Sequence, residues 1–298
     1  MADELKIRIG VGIDGGTGAG EFGARVDLLE KFGVDSLWLP EAVYSERIDP
    51  LIGMTHALAR TSKLKVGTGV SVLPGRNPVL VAKQLSSLAG LAPKRVLPVF
   101  GLQPARKAEL DLFPVPQGQR GAVFDESLMV IRALLEQDVV SFDGEYFQLD
   151  GVSLSARPAN RLDLWLGGSA PAGLRRIGRL ADGWLGSFLT PPDARAARES
   201  IQAAAAEAGR EIEADHFGMS IALAPGGIPP ELAASVARRK PGNDPAALVA
   251  GSWADARRLV EQYVEAGLTK FVISPVGHQD SYESFLETFM TELVPLQN

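Results

Sequence analysis

The chain has 298 residues, of which 46% are hydrophobic and 22% charged, with a formal net charge of −6 and no cysteine. A chain of this length and composition can bury one large core, so we expect a single domain. The lack of cysteine excludes disulfides, thiolate catalysis and cysteine-based metal sites. The acidic balance, without a basic block, argues against nucleic acid as a partner.

Membrane and secretion signals are the next feature to check. Residues 1–8 lack the long apolar stretch of a secretory signal, and no run of 18 apolar residues follows them. We therefore expect a protein that spans no membrane and acts in the cytoplasm.

The first half of the chain alternates short apolar strands with helices. Phe22, Val26 and Leu29 at helical spacing predict the first helix, with Gly33 at its end. Strands are predicted over residues 7–11, 36–39, 65–72 and 95–100. Further helices are predicted over residues 50–61, 77–91 and around 124–135.

The second half breaks this rhythm twice. Residues 139–149 predict a hairpin that turns at Asp143 and Gly144, because this dipeptide favours tight hairpin turns. Residues 225–252 are rich in proline, glycine and alanine and indicate a second excursion or a mobile lid. Strands are predicted over residues 163–166, 183–187, 216–223 and 270–274, and helices over 170–180, 193–208, 254–266 and around 285–293.

Eight strands alternating with helices predict an α/β fold, a (β/α)8 TIM barrel with insertions near residues 138–162 and 225–252. A doubly wound open sheet is the competing architecture. In a barrel the active site lies at the carboxyl ends of the strands. Candidates there include Asp14, Glu41 and Gly101.

Two glycine-containing segments stand out at these strand ends. Gly167, Gly168 and Ser169 precede a helix that carries Arg176, which suits a phosphate bound at the helix amino end, with Ser169 as a cap or donor. A tight turn with a solvated basic face is the plainer interpretation. Residues 67–71 place two glycines inside a strand, which predicts either a flat ring against the backbone or a barrel corner.

Several segments, in this order, resemble the bacterial luciferase-like superfamily, and within it the branch that uses the deazaflavin coenzyme F420. Each segment is weak alone, but together they span most of the chain. They are residues 35–41, 67–71, 76–84, 93–95, 142–147, 165–169 and 178–184.

The resemblance implies a flavin-type ring at the carboxyl end of the barrel. Gly69, Val70 and Ser71 would back the ring, with a non-proline cis peptide bond in that segment. The phosphate would be held by Gly167, Gly168 and Ser169, and we add Gly101 and Arg176 to the cofactor-binding set. Glu41 matches the acidic position after the second strand and is the catalytic candidate. Where several deazaflavin enzymes have a histidine next, this chain has Ala42.

The function implied is hydride transfer between coenzyme F420 and a small organic substrate, by an enzyme that pairs as a homodimer. Trp38, Phe100 and Trp165 are candidates for stacking or, alternatively, for core packing. We predict no metal site, and His278 after the last strand is interpreted as a loop residue that could face the site.

Three alternatives fit the same sequence. One is an FMN-dependent monooxygenase of the same superfamily. Another is an NAD-dependent dehydrogenase, because residues 18–23 fit G-x-G-x-x-G and Glu41 follows 18 residues later. A barrel that only carries its cofactor is the third.

Overall fold

The computed structural model describes residues 5–13, 15–277 and 281–298, so the candidates Asp14 and His278 lie outside the described residues. Its strands are β1 (Arg8–Gly12), β2 (Ser36–Leu39), β3 (Lys65–Thr68), β4 (Ser71–Val72), β5 (Val96–Leu97), β6 (Val99–Gly101), β7 (Val140–Asp143), β8 (Gln148–Val152), β9 (Trp165–Gly167), β10 (Gly183–Ser187), β11 (Phe217–Leu223), β12 (Val249–Ala250) and β13 (Lys270–Pro275).

The α-helices connect these strands on the outside. They are α1 (Ala19–Phe32), α2 (Pro50–Arg60), α3 (Pro78–Leu91), α4 (Arg120–Glu136), α5 (Pro171–Leu180), α6 (Pro191–Glu207), α7 (Pro230–Arg239), α8 (Trp253–Glu265) and α9 (Tyr282–Glu292). Across the described ranges, no helix is long and apolar enough to cross a membrane.

The parallel strands close into a ring, which confirms the eight-stranded barrel. Around the ring, β1 pairs with β2 and β13, β13 with β11, and β11 with β10, β9 and β6 following in turn. The third and fourth barrel strands each consist of two pieces, and they pair twice, β3 with β5 and β4 with β6. A closed ring excludes the doubly wound open sheet, and with it the fold that the NAD-dependent alternative required.

Local sequence signals set the helix ends. Asp49 and Asn77 cap α2 and α3, each accepting hydrogen bonds from the two N–H groups after the first-turn proline. Gly33 ends α1 in the left-handed conformation, with φ 71°. The predicted helix boundaries therefore hold to within about one residue at these points.

The third barrel strand differs from its prediction as one continuous strand. It is interrupted between Thr68 and Ser71, and the Gly69–Val70 peptide bond is cis, within the segment where the resemblance implied one. The two glycines of this segment thus mark a bend in the strand and not a regular ladder.

The predicted hairpin exists, but its turn is longer than the two residues expected. Asp143 pairs with Gln148, which leaves residues 144–147 in the loop. The Glu126 carboxylate on α4 accepts hydrogen bonds from the N–H groups of Glu145 at 2.8 Å, Tyr146 at 2.9 Å and Phe147 at 3.1 Å. This contact with α4 organises the wider turn, and the hairpin sequence alone does not reveal it.

Residues 225–252 contain ordered secondary structure. They hold α7, a short 3-10 turn and β12, which adds to the ring by pairing with β11. A small core of Ala224, Val236, Leu248 and Val249 packs beneath α7 and contacts Phe188. This excursion is thereby attached to the carboxyl end of the barrel.

The barrel interior contains its own apolar cluster, formed by Trp38, Val99, Trp165, Leu185 and Val272. Trp38 is 2% exposed and donates its ring N–H to the Ser36 hydroxyl at 3.0 Å. Phe100 is also buried in the main core. The plainer interpretation of Trp38, Phe100 and Trp165 as core residues is confirmed, and none of the three lines the cavity described next.

Candidate active site

A cavity of about 660 Å³ opens at the carboxyl ends of the barrel strands. Its wall is mostly apolar, with glycines, a few hydroxyls and three charged side chains. Of the predicted site residues, it brings together Glu41, Gly69, Val70, Gly101, Gly167, Gly168, Ser169 and Arg176. Ser71 is the exception, since it does not belong to this wall.

Ser71 is absent from the wall because neighbouring strand residues point to opposite sides. Val70 and Val72 face the cavity, whereas the Ser71 side chain is buried, at 5% exposure. Ser71 pairs in register with Phe100 of β6 and so helps to join the upper halves of the third and fourth barrel strands.

Val70 forms the floor of the cavity and explains two of the glycines. A methyl group placed on Gly101 would lie 2.5 Å from Cγ2 of Val70, and one on Gly167 would lie 2.7 Å from Cγ1. Both distances are far below normal contact, so these two positions must be glycine for Val70 to keep its place. The sequence suggested that glycines at these strand ends let a ligand approach the backbone closely. Gly101 and Gly167 also leave space for the Val70 side chain.

Glu41 clamps the segment that carries Val70. Its N–H donates to the Val70 carbonyl at 3.1 Å, and its carboxylate accepts the Val72 N–H at 2.7 Å. The other carboxylate oxygen pairs with the Arg76 guanidinium. Burial raises the pKa of Glu41, while the Val72 N–H and Arg76 act in the opposite direction. Both carboxylate oxygens are thus committed to holding the cavity wall.

The amino end of α5 meets the cavity beside Gly168. Ala170 is the N-cap residue and forms no side-chain cap, so the expectation that Ser169 caps this helix is wrong. The backbone bends at Gly168, with φ 120°, and the Gly168 carbonyl accepts a hydrogen bond from the Trp184 ring at 2.8 Å. The first turn of α5 therefore presents N–H groups, including that of Gly173, to the cavity wall.

Arg176 lies one turn further along α5 and also lines the cavity. Its guanidinium pairs with Asp125 on α4, donates to the Gly121 carbonyl at 3.2 Å and lies 5.4 Å over the Phe124 ring. These contacts fix the cation beside the α5 amino end. The neighbouring Arg175 is exposed and does not belong to the wall.

The opposite side of the cavity is formed by Phe188 and Arg239, two residues that were not singled out from the sequence, although residues 225–252 were expected to form an excursion or a lid. Phe188 has a positive φ of 52°, and the Arg239 guanidinium lies 4.8 Å over its ring. Arg239 ends α7, so the excursion of residues 225–252 supplies part of the wall. The sequence has three basic residues in succession at 238–240, a run too short to count as a basic block, and no local pattern connects it to the barrel.

This arrangement suits an anionic group joined to a flat apolar one. Backbone N–H groups and Arg176 lie at one side, and Val70 with its glycine neighbours forms a smooth floor. A possible metal-ligand group in the described residues, Glu213, Asp215 and His216, lies at the opposite end of the barrel. This acidic group therefore lies in a different part of the barrel from the cavity.

Comparisons with known proteins bear on which cofactor this is. Residues 5–238 match the family described as luciferase-like monooxygenase. An uncharacterised protein of Mycobacterium tuberculosis is 38% identical over 133 residues, 44% of this chain and 46% of that protein. The F420-dependent glucose-6-phosphate dehydrogenase of Nakamurella multipartita is 30% identical over 166 residues, 52% of this chain and 48% of the relative.

Those alignments are partial, since the chain spans about half the length of the curated relatives it matches. A solved structure covers more. An F420-dependent secondary alcohol dehydrogenase in complex with an F420–acetone adduct superposes with a TM-score of 0.81 at 19% identity, over 99% of this chain and 100% of the other. At that identity, the superposition establishes the shared barrel fold.

Proposed function

This chain belongs to the luciferase-like monooxygenase family, and on that basis we propose that it is an oxidoreductase that binds the deazaflavin coenzyme F420 in the cavity at the carboxyl end of its barrel. It transfers a hydride between the cofactor and a small organic substrate. The names of its relatives, an F420-dependent sugar-phosphate dehydrogenase and an F420-dependent alcohol dehydrogenase, support the choice of cofactor.

The observation that carries this proposal is the meeting of two features in one cavity. The Val70 floor is smooth because Gly101 and Gly167 leave it room, and the uncapped α5 amino end lies beside the Arg176 guanidinium. A flavin-type cofactor joins a flat ring to a phosphate through a flexible chain. The floor fits the ring and the helix end fits the phosphate.

In this reaction the protein orients the cofactor and the substrate and shields them from water. When bound, the cofactor supplies a carbon centre that accepts or donates a hydride. Val70 would support the ring, and Glu41 holds the Val70 segment in position through its backbone N–H and its carboxylate. The loop of residues 102–105 and the pair of Phe188 and Arg239 would enclose the substrate on the side of the cavity away from Val70.

Binding titrations test the cofactor assignment. Oxidised F420 and FMN are added in parallel to the purified protein while tryptophan fluorescence is followed. Trp38 reports on the ring, because its Cβ lies 3.8 Å from the position of a methyl group placed on Gly69. We expect strong quenching by F420 and weak quenching by FMN. Quenching by neither compound contradicts the proposal.

An FMN-dependent monooxygenase is the second candidate, because the family description names that reaction class. FMN also joins a flat ring to a phosphate, so the same floor and helix end suit it. A preference for FMN, with oxygen uptake by the reduced complex, establishes this alternative in place of the first.

Glu41 has a specific test within this proposal. Glu41→Gln keeps an acceptor for the Val72 N–H and removes the charge that pairs with Arg76. If Glu41 positions the ring wall, cofactor affinity falls several-fold and the pH dependence of turnover keeps its shape. If Glu41 transfers a proton, turnover falls more than about a hundredfold at unchanged affinity and one limb of the pH profile disappears.

A further inference from the structure

A second cavity, of about 410 Å³, lies at the opposite end of the barrel. It is lined by residues at the starts of the strands, and Leu97 and Trp165 form its base. Two carboxylates, Asp163 and Asp215, belong to its wall. Six cationic side chains also line it: Lys6, Arg8, Lys65, Lys94, Arg161 and Lys270.

Nearby carboxylates already compensate part of this positive charge. Asp35 pairs with Lys65 at 2.9 Å and with Arg8 at 3.8 Å, and Asp163 pairs with Arg161 at 3.3 Å. Asp215 lies 4.0 Å from His216. The two wall carboxylates therefore belong to one side of the cavity, next to Arg161 and His216.

Lys270 lacks such a partner among the described residues, as do Lys6 and Lys94, and it is the most buried of these three lysines. In the described part of the chain, no carboxylate oxygen lies within ion-pair distance of its ammonium group and no hydrogen bond is formed by it. Burial lowers the pKa of Lys270, and the neighbouring Lys65 and Arg8 add to that effect, while Asp35 and Asp215 oppose it. A cation in this position gains from an anion brought in from solution.

Lys94 is a second, independent indication at the same cavity. Its backbone is left-handed, with φ 64°, a conformation that favours glycine and is unfavourable for residues with a side chain. The chain nevertheless has a lysine here, and that lysine lines the cavity. A cationic side chain is thus placed at the rim at some cost in backbone energy.

From these contacts we propose that the amino-end cavity binds a small, multiply charged oxyanion. The ligand lies against Lys270, Lys94 and Lys65, where cationic side chains outnumber the two wall carboxylates. Lysine ammonium groups are point charges that bind phosphate and carboxylate oxygens without demanding one geometry. A multivalent anion is favoured over chloride because it contacts several ammonium groups at once.

Calorimetric titrations with inorganic phosphate and with citrate, at constant ionic strength set by chloride, test this site. Lys270→Met and Lys94→Gly remove one charge each, and glycine suits the left-handed backbone at position 94, so that variant keeps the fold. Lys83→Met removes the same charge from α3, outside the cavity. We expect at least tenfold weaker binding in the two cavity variants and no change in Lys83→Met.

The carboxyl-end cavity also offers an anion site, so Arg176→Met serves as a further control. Binding of phosphate or citrate that survives Arg176→Met but is weakened by Lys94→Gly lies at the amino end. Binding of citrate but not of phosphate identifies a carboxylate as the ligand of this site. Binding of phosphate but not of citrate identifies a phosphate as the ligand. Two outcomes overturn the proposal. One is equal binding by the wild type, Lys94→Gly and Lys270→Met. The other is no binding to the wild type at 10 mM of either anion, a concentration that corresponds to a binding free energy of about 3 kcal/mol.

Discussion

The two ends of the barrel are built from the same eight strands, yet their cavities are opposite in kind. Of 27 residues that line the carboxyl-end cavity, seven are glycine and three are charged. Of 17 that line the amino-end cavity, eight are charged, and glycine is absent from that wall as described. One end is shaped by glycine backbone that leaves an open apolar wall, and the other by side chains that pair charges.

This difference follows from how a parallel barrel is made. Each strand leads at its carboxyl end into a loop and then into a helix amino end, where free N–H groups accumulate. At the amino end of the barrel, each strand follows the carboxyl end of a helix. The start of each strand must therefore be held in register with its neighbouring strands. Here the buried carboxylates of Asp35 and Asp182 bind the strand starts together. We therefore expect stability and cofactor binding to respond separately to mutations at the two ends.

Asp182→Asn, at the amino end, is expected to have the largest effect. Its carboxylate accepts the Leu164 N–H at 2.8 Å and pairs with Arg132, with Arg161 at 2.7 Å and with Arg210 at 3.5 Å. Breaking a buried pair costs about 3–5 kcal/mol, and the partial exposure of the arginines reduces this to about 2–4 kcal/mol. Urea unfolding measures the loss, and cofactor affinity of the folded variant should be unchanged.

The matched control for that variant is Asp138→Asn. Asp138 also pairs with an arginine, Arg157, but its side chain is 85% exposed. We expect a change in the unfolding free energy below about 1 kcal/mol. Equal losses in the two variants would show that the Asp182 network does not stabilise the amino end in the way argued here.

The contrast between the two ends also shows what sequence can predict. The strand rhythm and the caps at Asn77 and Gly33 are local, so element positions and the closed barrel follow from sequence. Glycines at strand ends likewise predict part of the carboxyl-end wall, namely Gly69, Gly101, Gly167 and Gly168. The contribution of Arg239 depends on how α7 folds back onto Phe188, a contact between distant segments that no local pattern encodes. The clamp by Glu41 is similar, since it depends on the bend at residues 69–70.

A glycine variant tests the floor of the carboxyl-end cavity. In Gly101→Ala the new methyl group lies 2.5 Å from Val70, so Val70 must move into the cavity. Overpacking costs about 1–3 kcal/mol, and we expect cofactor affinity to fall about 5- to 150-fold in titrations. Val70→Ala in the same chain removes the clash and should restore most of the loss.

Gly90→Ala is the control for the added methyl group. Gly90 lies in α3, and its new methyl group meets nothing within 4 Å. We expect unchanged cofactor affinity and a gain of up to about 1 kcal/mol in unfolding free energy, since alanine is the better helix former. If Val70→Ala fails to rescue Gly101→Ala, the glycine acts on the cofactor directly and not through Val70.

Arg176→Met probes the anionic end of the same cavity. The guanidinium is already paired with Asp125, so we expect a loss of about 1–2 kcal/mol in cofactor affinity, roughly 5- to 30-fold. A deazaflavin that lacks the phosphate should bind wild type and variant equally. Asp125→Asn keeps the guanidinium and should change cofactor affinity less than about threefold. A loss that is equal for both ligands means that Arg176 does not act on the phosphate.

Glu30→Gln, at the amino end of the barrel, is expected to lower the unfolding free energy slightly, by an amount that depends on pH. The Glu30 carboxylate on α1 accepts hydrogen bonds from the N–H groups of Ser62 at 2.8 Å, Lys63 at 3.0 Å and Leu64 at 2.9 Å, just before β3. Burial opposes the charged form, but these bonds lower the pKa of Glu30 to about 2, from 4.5. After allowance for solvent screening, the variant should lose about 1–2 kcal/mol at neutral pH.

The sign of the pH dependence makes this last prediction specific. A carboxylate whose pKa is lower in the folded state stabilises the fold fully above its unfolded pKa of 4.5. That contribution is lost as pH falls toward about 2. The difference in unfolding free energy between the wild type and Glu30→Gln should therefore be constant above about pH 5.5. It should decrease toward zero as the pH approaches 2. Glu21→Gln, on the exposed first turn of α1, is the control, and its unfolding free energy should change by less than about 1 kcal/mol at neutral pH. If the difference in unfolding free energy is still present at pH 2, Glu30 stabilises the fold through packing and not through its charge.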